Sequence, residues 1–167
     1  MAEYVDKLRV VAFVSQQGQE AVEGVFALTP QAQFHDGPET LLERLNSTDR
    51  VIPFQRSEDD AVLLLNRIEI EWILSARNVA PELICPPTYR VTREEHIRLR
   101  LRSGEALEGL LRMELPEWFN RASDFLNGPE HFFPLVTERG VVLVNKLCVM
   151  STRLYEVSPE PVTEADY

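Results

Sequence analysis

The segment HIRLRLR, His96–Arg102, alternates strictly, with Ile97, Leu99 and Leu101 on one side and Arg98, Arg100 and Arg102 on the other. Such alternation predicts a strand with one face against a core. Ser103-Gly104 predicts a turn, and the returning strand EALEGLLRM carries Gly109, which marks a bulge or sharp bend. The period then changes. Leu115, Trp118, Phe119, Ala122, Phe125 and Leu126 recur at helical spacing, Pro116 suits a first turn and Asn127-Gly128 a left-handed stop. This predicts a helix over 115–127 that carries Trp118 and Phe119 into the core. HFFPLV, VVLVN and LCVMSTRL then read as three short strands.

The same scheme occurs earlier in a looser form. LRVVAFV and AVEGVFAL read as strands, PETLLERLN as a short helix with Leu41, Leu42 and Leu45 inward, and RVIPF, AVLLLN and IEIEWIL as three more strands. A shift of 81 residues places Leu45 on Leu126, Asn46 on Asn127 and Pro53 on Pro134. After a two-residue deletion Asn66-Arg67 falls on Asn145-Lys146, and a shift of 85 places EAVEG on EALEG. These positions, with Gly104 and Gly109 in the second copy, define a tandem duplication. The expected organisation is a first repeat over 1–77, a Pro-containing linker over 78–92, a second repeat over 93–157 and an acidic disordered tail over 158–167. One unit of this size buries little core and leaves open edges, and a second copy packed on it supplies both.

Charge divides the chain unevenly. The 167 residues carry a formal −10, of which the first 77 hold seven bases and thirteen acids, while residues 78–157 hold ten bases and eleven acids. Such a balance favours solubility and opposes non-specific binding to nucleic acid or anionic lipid. No apolar run is long enough for a membrane span, and the N-terminus has acids where a secretory signal carries bases, so a cytoplasmic location is expected. Cys85 and Cys148 are the two cysteines and are expected as thiols.

LRSGEALEGLL, with its turn glycine and a second glycine five residues on, resembles the first half of the Sm-like small barrel, and VVLVNKLCVM resembles that fold's closing strand pair. RASDFLN followed by FFPLV resembles a bacterial domain family of unknown function in the same class. The resemblance implies two tandem Sm-like or SH3-like five-stranded barrels, mainly β, each with a short helix inserted between its second and third strands. The RNA-contacting Asp-x-x-Met-Asn of Sm-like proteins has no counterpart near Phe132–Leu135. The resemblance therefore implies a fold and not the family's uridine site. It also implies edge pairing between fourth and fifth strands, here within the chain, joining Val141–Asn145 to Ile68–Leu74 or the reverse, and hence a monomer or closed homodimer.

Candidate chemistry is sparse. His35, His96 and His131 belong to no HxH, HxxxH or HExxH pattern, and no metal or cofactor is expected. Ser123-Asp124 fits helix capping better than catalysis, and no GxSxG, GxGxxG or Walker loop is present. Arg90 and Arg93 imitate only half of the paired-arginine signature of PilZ barrels. No catalytic residue is assigned. What stands above this background is the row Arg98, Arg100, Arg102, with Arg112 nearby, which suits a phosphate backbone or an acidic partner. Against it, Glu105, Glu108 and Glu114 on the next strand can pair with the row. Glu69, Glu71 and Trp72 lie on IEIEWIL, which would offer a partner edge if that strand is an edge. The sequence thus predicts a non-catalytic protein-interaction or scaffold module, with nucleic-acid or nucleotide binding through the arginine face as the alternative.

Overall fold

The computed structural model describes residues 7–116, 118–119 and 121–155. The expected acidic tail lies outside the described residues. The first repeat forms β1 (Leu8–Gln16), β2 (Val22–Leu28), α1 (Leu41–Leu45), β3 (Val51–Arg56), β4 (Val62–Asn66) and β5 (Ile70–Ser75). The second forms β6 (Arg93–Leu101), β7 (Ala106–Met113), α2 (Ala122–Leu126), β8 (Phe132–Thr137), β9 (Gly140–Asn145) and β10 (Val149–Leu154). In each repeat the helix falls between the second and third strands, and a 3-10 turn joins the fourth to the fifth.

The strands join in one antiparallel sheet ordered β10-β6-β7-β8-β9-β5-β1-β2-β3-β4. Each half contributes its strands in the sequence fifth, first, second, third, fourth, so the two halves share one strand order. All ten strands lie in a single open sheet whose free edges are β4 and β10, and not in two separate barrels. The reason lies at its middle. β5 and β9 pair with each other, Trp72 opposite Val144, Ile73 opposite Leu143 and Leu74 opposite Val142, which continues one repeat into the next.

This seam is buried on both faces, and its two faces serve different cores. Ile70, Ile73, Phe132 and Leu143 enter the first core, with Val10, Val14, Phe26, Leu41, Leu45 and Phe54. Trp72, Leu74, Val142 and Val144 enter the second, with Ile97, Leu99, Leu111, Phe125 and Phe133. A strand covered on both faces carries a continuous apolar run instead of alternation, as VVLV in β9 and WIL in β5 do. The linker is ordered as well. Ile84 is buried in the first core, its carbonyl accepts from Leu42 N–H (3.0 Å), and Tyr89 Oη donates to the Arg112 carbonyl (2.6 Å).

Two glycines allow the strands to bend. A Cβ on Gly24 would collide with the Phe54 ring and the Gln55 carbonyl, and one on Gly109 with the Val136 backbone. The equivalent glycines let β2 approach β3 and β7 approach β8 without a side chain between them.

The helix predicted over 115–127 is a single turn and a half, Ala122–Leu126. Thr92 Oγ1 accepts from Leu115 N–H (3.1 Å) and holds that residue in extension, and Phe119 N–H closes a turn on the Pro116 carbonyl. Trp118 and Phe119 are consequently 78% and 48% exposed, not core. Capping also differs between the copies. Thr40 and Glu43 form a reciprocal box at α1. At α2 the Asp124 carboxylate accepts from Arg121 N–H (3.2 Å), and arginine in the place of Thr40 has no oxygen to complete the box.

Candidate functional site

The arginine row lies on the outer face of β6, because Ile97, Leu99 and Leu101 are fully buried in the second core. Arg98, Arg100 and Arg102 are exposed. The neighbouring edge strand extends the patch: Arg153 of β10 is directly opposite Arg98, and Ser151 is opposite Arg100. Four guanidinium groups thus share one face, spaced at about 6.5–7 Å along the strand and about 4.8 Å between strands.

The glutamates that could neutralise this row are occupied elsewhere. Glu108, opposite Arg98 in register, meets His96 Nε2 at 3.0 Å. Glu105 Oε2 accepts from Trp72 Nε1 (3.0 Å), and Glu114 accepts from Arg90 N–H. Among the described residues no ion pair or side-chain hydrogen bond engages Arg98, Arg100, Arg102 or Arg153. Arg112 stands apart from the group. It lies opposite Glu94 and pairs with it at 3.2 Å.

Arg153 lies over the Tyr155 ring (5.3 Å to the centroid), and that ring stacks on His96 at 4.4 Å. Sequence reasoning missed both Arg153 and Tyr155 as members of this patch. Their signal is weak, since they become neighbours of the row only through the pairing of β10 with β6. Beside the row runs an open groove of about 750 Å³, lined by His96, Glu108, Leu110, Val136 and Arg139 among others. His96 and Glu108 belong to both, so the groove and the arginine patch are continuous.

The proposed partner edge of Glu69, Glu71 and Trp72 is placed differently. β5 lies between β1 and β9, so its backbone is already paired on both sides. Glu69 ends the 3-10 turn, exposed. Glu71 is 1% exposed and sits at a bulge, where the β1 register steps from Ser15–Trp72 to Gln16–Ile70. Its Oε2 accepts from Ser103 Oγ (3.0 Å), while Oε1 has no partner among the described residues. Desolvation, with the Glu105 charge adding to it, raises the Glu71 carboxyl above the ordinary carboxylate value. Arg139 lies 5.5 Å from the centre of the Trp72 ring.

The repeat-defining residues carry structural roles. Asn46 and Asn127 are the C-caps of α1 and α2. Asn145 is fully buried and spans the seam, with Nδ2 donating to the carbonyls of Ile70 (2.9 Å) and Ile68 (3.2 Å) and Oδ1 accepting from Leu147 N–H. Its counterpart Asn66 ends the edge strand β4, and its buried Oδ1 has no partner among the described residues. Pro53, in β3 next to the edge strand, is exposed, and Pro134, in β8 next to the seam, is buried. Gly104 makes the β6–β7 turn with φ of 92°.

The histidines do not converge. His35 bonds the Asp36 carbonyl and the Glu43 carboxylate, both of which raise its pKa, while His131 precedes β8. Among the described residues no three His, Cys, Asp or Glu side chains form a metal-binding group. Cys148 is buried, and burial pushes the Cys85 thiol up to about 11. No helix among the described residues is long and apolar enough to cross a membrane. No family model, curated protein or solved structure matches the chain.

Proposed function

We propose that this protein is a non-catalytic interaction module that binds an acidic, extended segment of a partner protein across Arg98, Arg100, Arg102 and Arg153. The observation that carries this reading is the exposed guanidinium row whose neighbouring carboxylates are held by His96, Trp72 and Arg90. An extended peptide presents alternate side chains at about 6.5–7 Å, the period of the row. Carboxylates at that period meet guanidinium groups in the bidentate geometry that favours arginine over lysine. The adjoining groove offers room for intervening side chains.

A formal charge of −10 supports a short acidic segment over nucleic acid, since a long polyanion also meets the acidic first repeat. The His96–Tyr155 stack beside the row favours the second reading, a single strand of nucleic acid with a base on the aromatic pair.

Fluorescence anisotropy separates the two. The probes are a ten-residue peptide alternating Glu and Thr and a ten-nucleotide single strand of RNA or DNA, at 50 and 200 mM salt. The peptide is expected to bind, and Arg98→Ala/Arg100→Ala to weaken it roughly tenfold or more. Tighter binding of the oligonucleotide, with a steep salt dependence lost in the double variant, would favour the second reading. Binding of neither probe would overturn both.

A further inference from the structure

The two free edges of the sheet differ in chemistry, and the internal seam shows what the difference means. At the seam, Phe132, Val141 and Leu143 pack on the first core, and the Asn145 amide crosses to β5. The repeat places Val51, Val62, Leu64 and Asn66 at the corresponding positions of β3 and β4. There they are uncovered: Val51 is 42%, Val62 67% and Leu64 66% exposed, and the buried Asn66 Oδ1 has no partner among the described residues. Solvated edge strands normally carry charge to block strand addition. β4, VLLLN, carries none.

The other edge of the chain does not match it. In the seam β5 presents Trp72 and Leu74 to the second core. The corresponding residues of β10 are Ser151 and Arg153, with Arg98 and Arg100 directly beside them. Pairing β10 of one copy with β4 of the next would press these guanidinium groups towards an apolar neighbour, at a desolvation cost that opposes head-to-tail growth.

We propose that β4 is instead a self-association edge, and that two copies pair β4 with β4 antiparallel about a twofold axis near Leu64. Val51, Val62 and Leu64 of both copies are then covered together. The charges at its two ends complement each other in this orientation. Glu58 and Asp60 precede β4, Asp59 between them being held by Arg56, while exposed Arg50 lies beside the other end of the strand, where its carbonyl accepts from the backbone N–H of Arg67. Antiparallel pairing sets Glu58 and Asp60 of one copy beside Arg50 of the other. Each β4 is used once, so the assembly closes at two chains, and the arginine face at the far edge stays open.

Sedimentation velocity on the full chain from 1 to 100 µM tests this. The expected species at the upper end has twice the 19.2 kDa chain mass. Leu64→Glu, at an exposed position, is expected to weaken the dimer a hundredfold or more, with an unchanged melting temperature at concentrations where the parent is monomeric. Arg50→Glu is expected to weaken it about tenfold, and adding Glu58→Arg to restore it. A chain that stays monomeric throughout, a mass that keeps rising with concentration, or a Leu64→Glu dimer of unchanged affinity would each overturn the proposal.

Discussion

The side chain of Asn46 holds the backbone of Phe132 across the seam between the repeats: Oδ1 accepts from Phe132 N–H at 2.8 Å, and Nδ2 donates to the Phe132 carbonyl at 3.1 Å. One amide thus extends the ladder of β8 beyond the stretch that β7 pairs, while β9 pairs its other side. Its counterpart Asn127 is exposed and makes no side-chain hydrogen bond among the described residues. Asn46→Ala should lower stability by about 1–3 kcal/mol, because it leaves two partly buried backbone groups unpaired. Asn127→Ala should change stability by less than about 0.5 kcal/mol. Urea unfolding of the two variants checks the contrast.

Glu71 makes stability depend on pH. Its folded-state pKa is raised by burial, so the folded chain holds this proton more tightly than the unfolded chain. Its contribution is greatest below the ordinary carboxylate value and is lost as pH rises from there through the raised value. Glu71→Gln removes that dependence. The variant should gain stability relative to the parent as pH rises from 4 to 8, and thermal melts across that range read the difference. An unchanged difference between the two proteins would count against a protonated Glu71.

Gly109→Ala and Gly24→Ala should each cost about 1–3 kcal/mol, since either Cβ must displace backbone of the next strand. Gly18→Ala, in a turn with open space around it, should cost less and act through its φ of 76° alone. Differential scanning calorimetry of the three variants checks the order.

The basic residue that follows each fourth strand reaches back to its helix. Arg67 donates to the Leu45 carbonyl (3.2 Å), and Lys146 to the carbonyls of Phe125 (3.0 Å) and Gly128 (3.4 Å). Cationic donors there satisfy carbonyls that a helix end leaves open. Lys146→Met should therefore cost about 1–2 kcal/mol, and Lys146→Arg should recover much of it. Chemical denaturation provides the measurement.

The sequence pattern was most legible where one face is wet. β6 alternates because its arginines face solvent, and the matched Asn46 and Asn127 both cap their helices. β5 is less legible, for a physical reason. Taken as strict alternation, IEIEWIL groups Ile70 with Trp72, but the bulge at Glu71 shifts the phase, so Ile70 and Ile73 face one core while Trp72 and Leu74 face the other. A buried glutamate at that bulge then resembles an exposed one in sequence. The overlong helix had a similar origin, because Trp118 and Phe119 keep helical spacing while Thr92 holds Leu115 extended. The membership of Arg153 in the arginine patch depends on a pairing between strands far apart in the chain, which local pattern does not carry.

Binding at the arginine face is the central functional claim, and a residue-resolved titration tests it most directly. Amide chemical shifts of the full chain should be followed while the alternating Glu-Thr peptide is added. Saturable shifts are expected on β6 and β10, centred on Arg98, Arg100 and Arg153, and are expected to disappear in Arg98→Ala/Arg100→Ala. Saturable shifts confined to the first repeat, or unchanged spectra at millimolar peptide, would contradict it.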